Sequence, residues 1–316
     1  MEVSVNRLVL PLVEEIIHRR EELRIDVERT ESATIIDAGV KVKGGYLAGK
    51  FLTEICMGGL GETHISNADY GGLILPTISV FTDQPAISLL GCQFAGWRIG
   101  VGKYFAMGSG PGRALALKPK DLYAKIGYRD ESDIAVIVLE AGEKPPPEAL
   151  KLIAKECGVA PKGLYVLVAP TSSITGSVQI SGRIAEMGLH KLMDVGFDPK
   201  NVVSGYGGAP IAPVHPRFNR AMGRTNDMLL YGGVAYFTVE ADDDSALKEL
   251  VEKVPSSTSR DYGRPFADIF SAAGYDFYKI DASLFAPAAI TVNNIRTGVT
   301  FTAGKVNPEI LGQSIL

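Results

Sequence analysis

Cysteine and histidine are scarce in this chain of 316 residues, which contains three cysteines and four histidines. The cysteines are Cys56, Cys92 and Cys157, and none of them belongs to a Cys-x-x-Cys pair or a Cys/His cluster. A disulfide framework and a structural zinc site both require such groupings, so the sequence predicts neither. The histidines also lack metal-ligand spacing. We therefore expect no bound metal and a reducing, cytoplasmic environment.

An excess of positive charge and long apolar runs are missing as well. The 32 Lys and Arg residues against 36 Asp and Glu residues give a net charge of -4 at pH 7, which argues against nucleic acid as the main partner. No uninterrupted apolar stretch approaches the ~18 residues of a membrane span. The segment that follows Met1 is too charged for a signal peptide. These absences predict a soluble protein that binds neither nucleic acid nor membrane.

The composition that remains, 46% hydrophobic and 22% charged residues, is typical of globular proteins. A chain of 316 residues is at or above the length at which one core usually splits into two. The sequence predicts a mixed α/β (α+β) fold of two α/β subdomains with a ligand pocket between them. We expect residues 1–95 with 255–316 to form a strand-rich subdomain and residues 96–254 to form the second one.

Hydrophobic periodicity supports this fold class. Apolar residues from Val5 to Ile17 have helical spacing, and Pro11 should start or kink that helix. The other predicted elements are strands in 34–55 and 62–81, a strand–helix–strand unit at 134–139, 148–157 and 164–168, a long helix from about 171 to 195, and a hairpin at 289–306.

Two glycine-rich segments could present backbone N–H groups to a phosphate. Gly44–Phe51 almost matches a P-loop, but Phe51 replaces the Ser or Thr whose hydroxyl holds Mg²⁺. A glycine turn between strands is therefore the favoured interpretation there. Gly108–Gly112 has alternating glycines before a helix predicted to start near Arg113. Either an anion-binding loop or a tight packed turn would explain this second segment.

Arg183 and Glu186 are three residues apart on a predicted helix, so they share one face. An exposed ion pair is the common outcome of such spacing. The helix also contains several small residues, namely Gly176, Ser177, Ser181, Gly182 and Gly188. Glycine disfavours a plain surface helix, so this composition suits close approach of a ligand or another backbone. The spacing alone leaves both interpretations open.

A polar segment near the middle of the second half, Arg224–Asp227, is expected to lie in a loop-rich region. Its guanidinium, hydroxyl, amide and carboxylate groups could bind a polar ring system. Solvated loop residues are the simpler explanation of the same pattern.

Longer strings are more specific than these short motifs, and they run through the chain without a large gap. They are Gln93–Trp97, Val101–Pro111, Val168–Thr171, Gly176–Gln179, Ala209–Pro213, Met222–Asp227, Asp276–Asp281 and Phe285–Pro287. Together they resemble the methenyltetrahydromethanopterin cyclohydrolases, an archaeal-type family. The resemblance implies reversible conversion of 5,10-methenyl-tetrahydromethanopterin and water to 5-formyl-tetrahydromethanopterin, in one-carbon metabolism of the methanogenesis type. It also implies two α/β subdomains with the pterin between them, a homotrimer, and no cofactor besides the pterin substrate.

Specific roles follow from this resemblance. Glu186 would be the general base on water, and Arg183 would hold it ionised and orient it. The expected substrate-binding residues are Gln93, Phe94, Ala95, Gly108, Ser109, Gly110, Arg113, Arg224, Asn226 and Asp227. Among them, Arg113 and the Gly108–Gly112 loop would take the phosphate of the pterin tail. Phe94 departs from the pattern, because that position could carry a polar side chain.

Two alternatives from other classes remain open. The chain could be a pterin- or nucleotide-binding module without catalysis. It could also be a small-molecule kinase that uses the Gly108–Gly112 loop, in which case it would require Mg²⁺ and ATP.

Overall fold

The computed structural model describes residues 3–316 of the chain. The contacts within this part divide it into two compact units. The first unit contains the described residues up to Glu62 together with Ala86–Gln179, and the second contains Thr63–Pro85 together with Ile180–Leu316. This division differs from the predicted one of 1–95 with 255–316 and 96–254, because the strand at 33–37 pairs with a strand at 164–169.

Helices and strands follow one another along the whole described part of the chain. The helices are α1 Val5–Leu8, α2 Leu10–His18, α3 Arg20–Leu23, α4 Tyr46–Cys56, α5 Gly112–Ala116, α6 Lys120–Ile126, α7 Pro147–Cys157, α8 Ile174–Ser181, α9 Ile184–Asp194, α10 Phe218–Gly232, α11 Asp244–Glu252, α12 Phe266–Ala272 and α13 Pro308–Ile315. The strands are β1 Asp26–Thr30, β2 Ala33–Asp37, β3 Gly61–Asp69, β4 Ile74–Thr82, β5 Trp97–Val101, β6 Tyr104–Ser109, β7 Ala135–Glu140, β8 Leu164–Ala169, β9 Val202–Pro210, β10 Val234–Val239, β11 Ala289–Asn294 and β12 Thr300–Gly304. A π-helical segment, Ala86–Gln93, precedes β5.

The sheet of the first unit has the strand order β1-β2-β8-β7-β6-β5. Strands β2, β8 and β7 are parallel, and α7 connects β7 to β8. The side chains of β7 alternate between two buried cores, Ile137 and Leu139 on one face and Val136 and Val138 on the other. A strand buried on both faces explains the continuous apolar run at 134–139. The predicted strand–helix–strand unit is confirmed.

The strand predicted over residues 34–55 is only partly present. Strand β2 ends at Asp37, and the chain then forms a loop and helix α4. Ala48, Leu52 and Ile55 of that helix are buried against the core that also contains α2. The apolar and polar residues of the short stretch Leu52–Ile55 alternate in a way that fits either a strand or a helix. Over the whole of α4 these buried residues recur every three to four positions, and this spacing is helical.

The near-P-loop at Gly44–Phe51 therefore leads into α4 rather than into a second strand. Gly44 has a φ of +58°, and a Cβ placed on it would lie 2.2 Å from the carbonyl oxygen of Ala38. The N–H of Gly45 donates to the hydroxyl of Thr175 at 3.0 Å. The loop therefore packs against other parts of the same chain. The prediction of a glycine turn between two strands is wrong, because a helix follows the turn.

Other sequence predictions agree closely with the structure. Pro11 lies in the first turn of α2, directly after the short helix α1, so it starts a helix as expected. Strands β3 and β4 occupy the predicted 62–81 segment. The hairpin predicted at 289–306 is the antiparallel pair β11–β12.

The sheet of the second unit has the strand order β12-β11-β10-β9-β4-β3. Strands β10 and β11 are parallel, whereas β9 is antiparallel to both β10 and β4. Helices α9 and α10 pack on this sheet. The long helix predicted from about 171 to 195 is instead two helices, α8 and α9, separated at Gly182 and Arg183. Within residues 3–316, no helix has both the length and the apolar character needed to cross a lipid bilayer.

Candidate active site

Arg183 and Glu186 lie at the start of α9 in the second unit. Arg183 is the N-cap residue, with φ -87° and ψ 4°, and Glu186 is in the first turn. Their side chains are buried, with relative exposures of 8% for Arg183 and 7% for Glu186. The interpretation of these two residues as an exposed surface ion pair is therefore wrong. A carboxylate in the first turn is also stabilised by the helix dipole.

The backbone of α9 lies close to the sheet because both surfaces carry glycine at the contact. A Cβ placed on Gly188 would lie 2.8 Å from the Cβ of Ala235, closer than side chains normally approach. A Cβ placed on Gly207 of β9 would lie 2.9 Å from the backbone nitrogen of Ala185. The small residues of this region therefore permit close packing of a helix on a sheet, and this packing fixes the backbone that carries Glu186.

The junction between α8 and α9 is also held by a hydrogen bond. The hydroxyl of Ser181 is fully buried and donates to the carbonyl of Pro210, at the end of β9, with a distance of 2.8 Å. This bond lies two residues before Arg183, so it fixes the point at which α9 begins.

The segment Gln93–Ala95 lies in the first unit, at the end of the π-helical segment. The side chain of Gln93 is buried, whereas Phe94 and Ala95 are half-buried. The N–H of Phe94 donates to the carbonyl of Leu89 at 2.8 Å, which continues the π-helical hydrogen bonding by one residue. Single π-helical turns are frequent at functional sites.

The Gly108–Gly112 loop is a buried turn. Gly110 has a φ of +96°, and its N–H donates to the carbonyl of Cys92 at 2.8 Å. A Cβ placed on Gly112 would lie 2.8 Å from the side chain of Ile137. Ser109 donates to the carbonyl of Val138 at 3.3 Å. Of the two open interpretations, this geometry favours the packed turn over an anion-binding loop, and α5 that follows is only five residues long.

Arg113 points into the core of the first unit, and its side chain has no exposed surface. Its Nε donates to the carbonyl of Lys118 at 2.8 Å. Its Nη1 lies 3.1, 3.2 and 3.3 Å from the carbonyl oxygens of Leu90, Gly91 and Cys92. The structure therefore directs this guanidinium to backbone carbonyls and not to a phosphate at the surface.

The residues Arg224, Asn226 and Asp227 lie on helix α10, so the prediction of a loop there is wrong. Met222, Thr225 and Met228 are buried at helical spacing, but the polar residues between them hide this pattern in the sequence. Asn226 donates to the carbonyl of Met222 at 2.9 Å.

Arg224 and Asp227 stabilise the C-terminal helix of the second unit. The guanidinium of Arg224 donates to the carbonyl of Ile315 at 3.2 Å, at the end of α13. The carboxylate of Asp227 is fully buried and accepts bonds from the N–H of Phe266 at 2.8 Å and the hydroxyl of Ser314 at 2.6 Å. Burial raises the pKa of Asp227 to about 7, against the opposing effect of these two hydrogen bonds. Both side chains therefore have structural roles.

The three cysteines are buried as thiols. Burial raises the pKa of Cys92, and it raises the pKa of Cys157 to about 12, which disfavours a thiolate nucleophile at either position. Within residues 3–316, no group of three His, Cys, Asp or Glu side chains is arranged so that it could hold a metal ion.

Comparison with known proteins identifies the family. A sequence profile described as cyclohydrolase (MCH) matches residues 4–315. The chain belongs to this family. The methenyltetrahydromethanopterin cyclohydrolase of Methanothermobacter marburgensis is 49% identical over 318 residues, which cover 99% of this chain and 99% of that protein. The proteins of the same name from Methanococcoides burtonii and Methanocaldococcus jannaschii are each 48% identical, over 99% of this chain and 98% of theirs.

Tyr123 is a residue of this cyclohydrolase that the sequence analysis missed. Its hydroxyl donates to the carbonyl of Gly91, two residues before the Gln93–Ala95 segment. Tyr123 lies on α6, 32 positions from Gly91 in the chain, and only the fold brings the two together. No local sequence signal marks such a contact.

Proposed function

We propose that this cyclohydrolase converts 5,10-methenyl-tetrahydromethanopterin and water reversibly to 5-formyl-tetrahydromethanopterin. The proposal is supported by family membership and by three relatives of 48–49% identity that carry this substrate in their names. The single structural observation behind the mechanism is the buried Arg183 and Glu186 at the start of α9.

The substrate supplies its own electrophile. Its methenyl carbon lies between two nitrogens and shares their positive charge, so it is open to attack by water. The oxygen of water bonds to this carbon while its proton moves to a base. The bond from the carbon to N10 then breaks as the new hydroxyl group loses its proton and becomes the formyl carbonyl. N10 takes up one proton, and the formyl group remains on N5. One proton is released overall, which balances the charge of the cation.

Glu186 is the proposed base. A carboxylate can accept the proton of water, and its negative charge favours the cationic substrate. Arg183, at the N-cap, would favour the ionised form of this carboxylate and orient it or the water. The packing of α9 on glycines of the sheet supports the role, because general-base catalysis requires a fixed geometry between base and water.

The proposed substrate contacts include the segment Gln93, Phe94 and Ala95. The side-chain amide of Gln93 and the backbone groups of the segment could bind the water and the formyl oxygen. Other expected contacts, Arg113 and Asp227 among them, have structural partners instead. The buried turn at Gly108–Gly112 also argues against the kinase alternative.

The proposed enzyme uses no metal and no cofactor besides its pterin substrate. It is also proposed to be cytoplasmic and to form a homotrimer. The site between two subdomains that the resemblance implies stays a prediction.

The test is the hydrolysis rate of the methenyl substrate, followed by the loss of its absorbance. Replacing Glu186 with Gln retains size and hydrogen bonding but removes the charge. We expect turnover to fall by about 10²–10⁴-fold while the pterin still binds. Arg183→Lys should be impaired as well, because it loses the planar fork of donors. The two losses should be non-additive, since both residues act on the same proton transfer.

Glu156→Gln is a matched control, since Glu156 forms an ion pair with Lys118 at 2.7 Å and is not part of α9. This variant should keep the parent rate. A folded Glu186→Gln protein that hydrolyses the substrate within a factor of a few of the parent would falsify the assignment of the base. A parent protein that leaves the methenyl absorbance unchanged would refute the proposed reaction itself.

A further inference from the structure

The carbonyl end of the π-helical segment Ala86–Gln93 is bound by two buried side chains from later in the chain. Arg113 donates through Nη1 toward the carbonyls of Leu90, Gly91 and Cys92, at 3.1 to 3.3 Å. Tyr123 donates its hydroxyl to the carbonyl of Gly91. The carbonyls at the end of a helix lack intrahelical partners, and these donors supply hydrogen bonds to them. The carbonyl of Cys92 also accepts a bond from the N–H of Gly110 at 2.8 Å.

The guanidinium of Arg113 also lies close to two aromatic rings. Its guanidinium carbon lies 5.3 Å from the ring centre of Phe94 and 5.6 Å from that of Tyr123. Phe94 is the middle residue of the proposed substrate-contacting segment Gln93–Ala95. The same guanidinium therefore contacts the last carbonyls before this segment and a side chain within it.

The chain after Phe94 has little freedom once that ring is placed. The N–H of Gly96 donates to the carbonyl of Phe94 at 2.9 Å. A Cβ placed on Gly96 would lie 2.7 Å from the ring of Phe94 and 2.8 Å from Pro119. Gly96 therefore packs closely on the Phe94 ring and on Pro119, and a larger side chain would not fit at this position.

We propose that Arg113, assisted by Tyr123, is a positioning residue for this reaction, which holds Gln93–Ala95 in the conformation that contacts the substrate. Its charge serves the backbone of the segment and not the phosphate of the substrate. This inference rests on the proposed function, because it assigns to the segment a part in that reaction. A misplacement of about 1 Å in a positioning group can lower a rate by about 10²-fold.

The test compares Arg113→Lys and Tyr123→Phe with Tyr231→Phe as the matched control. Tyr231 also donates its hydroxyl to a backbone carbonyl, that of Arg264 at 2.6 Å, but it lies in the second unit. Tyr123→Phe is the milder change and decides the question if Arg113→Lys does not fold. Three quantities are measured, namely kcat for the methenyl substrate, KM for the same substrate, and the rate of hydrogen exchange of the amides at 93–96.

We expect kcat of Arg113→Lys to fall by at least ~10-fold and KM to change by less than ~3-fold, because the chemical step depends on the position of the segment. Tyr123→Phe should change in the same direction by a smaller factor. In both variants the amide hydrogens of Phe94 and Gly96 should exchange with solvent faster than they do in the parent. The pH profile of the rate should keep its shape, since Glu186 is intact. Tyr231→Phe should lose only thermal stability.

Folded Arg113→Lys and Tyr123→Phe proteins with kcat within ~2-fold of the parent would overturn the inference, as would an equal loss of kcat in Tyr231→Phe. A rise of KM at unchanged kcat would also overturn it, because that result indicates a direct contact of Arg113 with the substrate. An inactive parent protein would refute the proposed function and this inference together, whereas an active parent with unimpaired variants refutes the inference alone.

Discussion

Asp227 offers a prediction whose size and sign both follow from its surroundings. The carboxyl group is buried between α10, α12 and α13, and burial is the largest influence on its pKa, which rises from 3.8 to about 7. The neighbouring Asp268 acts in the same direction, and the bonds from Ser314 and Phe266 act against it. In the unfolded chain the group returns to its ordinary pKa.

The sign follows from proton binding. Between pH ~4 and ~7 the folded protein binds this proton and the unfolded chain does not, so stability falls as the pH rises through that window. The slope is about 1.4 kcal/mol per pH unit for one group. Below the window the contribution of the protonated carboxyl is fully present, and above it the contribution is lost and the curve is flat.

The perturbation is Asp227→Asn, which keeps an oxygen for the N–H of Phe266 and an amide donor toward Ser314 but cannot ionise. Urea unfolding of parent and variant at one protein concentration gives the difference in free energy of unfolding. From about pH 5 to about pH 8 the parent should lose roughly 2–3 kcal/mol relative to Asp227→Asn. The hydrolysis rate should stay close to that of the parent, since the side chain serves packing.

Asp281→Asn is a control of opposite sign. Although burial acts to raise it, hydrogen bonds from Ser283, Ser259 and Arg260 hold the pKa of Asp281 below its ordinary value. It is therefore ionised in both states above about pH 5, and its parent–variant difference should be flat up to about pH 8. For Asp227, a flat difference or a parent that gains stability with pH would refute the reasoning, because the carboxylate would then be ionised in the fold.

Three further predictions concern the enzyme as a whole. Hydrolysis should survive exhaustive chelation, and activity lost with EDTA and restored by one divalent ion would contradict the metal-free mechanism. Alanine at Cys56, Cys92 or Cys157 should retain turnover with ~1–3 kcal/mol less stability, whereas a folded but inactive Cys92→Ala protein would indicate a thiol nucleophile. Light scattering at micromolar concentration should give a homotrimer, and a monomer of 33.8 kDa would exclude that assembly.

The sequence by itself determined the elements whose pattern is local and unambiguous. The apolar run in β7 has the length of a strand, and the apolar residues of α7 recur with helical spacing. Length and periodicity together were therefore sufficient to predict both elements. The glycine and serine residues around Arg183 and Glu186 likewise indicated a crowded helix, and Gly188 packs closely on Ala235. Local composition carried this information because small side chains are required where the backbone of the same segment packs closely on a neighbouring element.

The tertiary structure alone decided which polar side chains are available to a ligand. Arg113 and Asp227 have residue types suited to phosphate or proton transfer, yet both are buried against groups far away in the chain. The three carbonyls that Nη1 of Arg113 contacts are 21 to 23 positions before it, and the partners of Asp227 are 39 and 87 positions after it. A buried charge must find hydrogen-bond partners wherever the fold provides them, and sequence spacing does not encode such long-range partners.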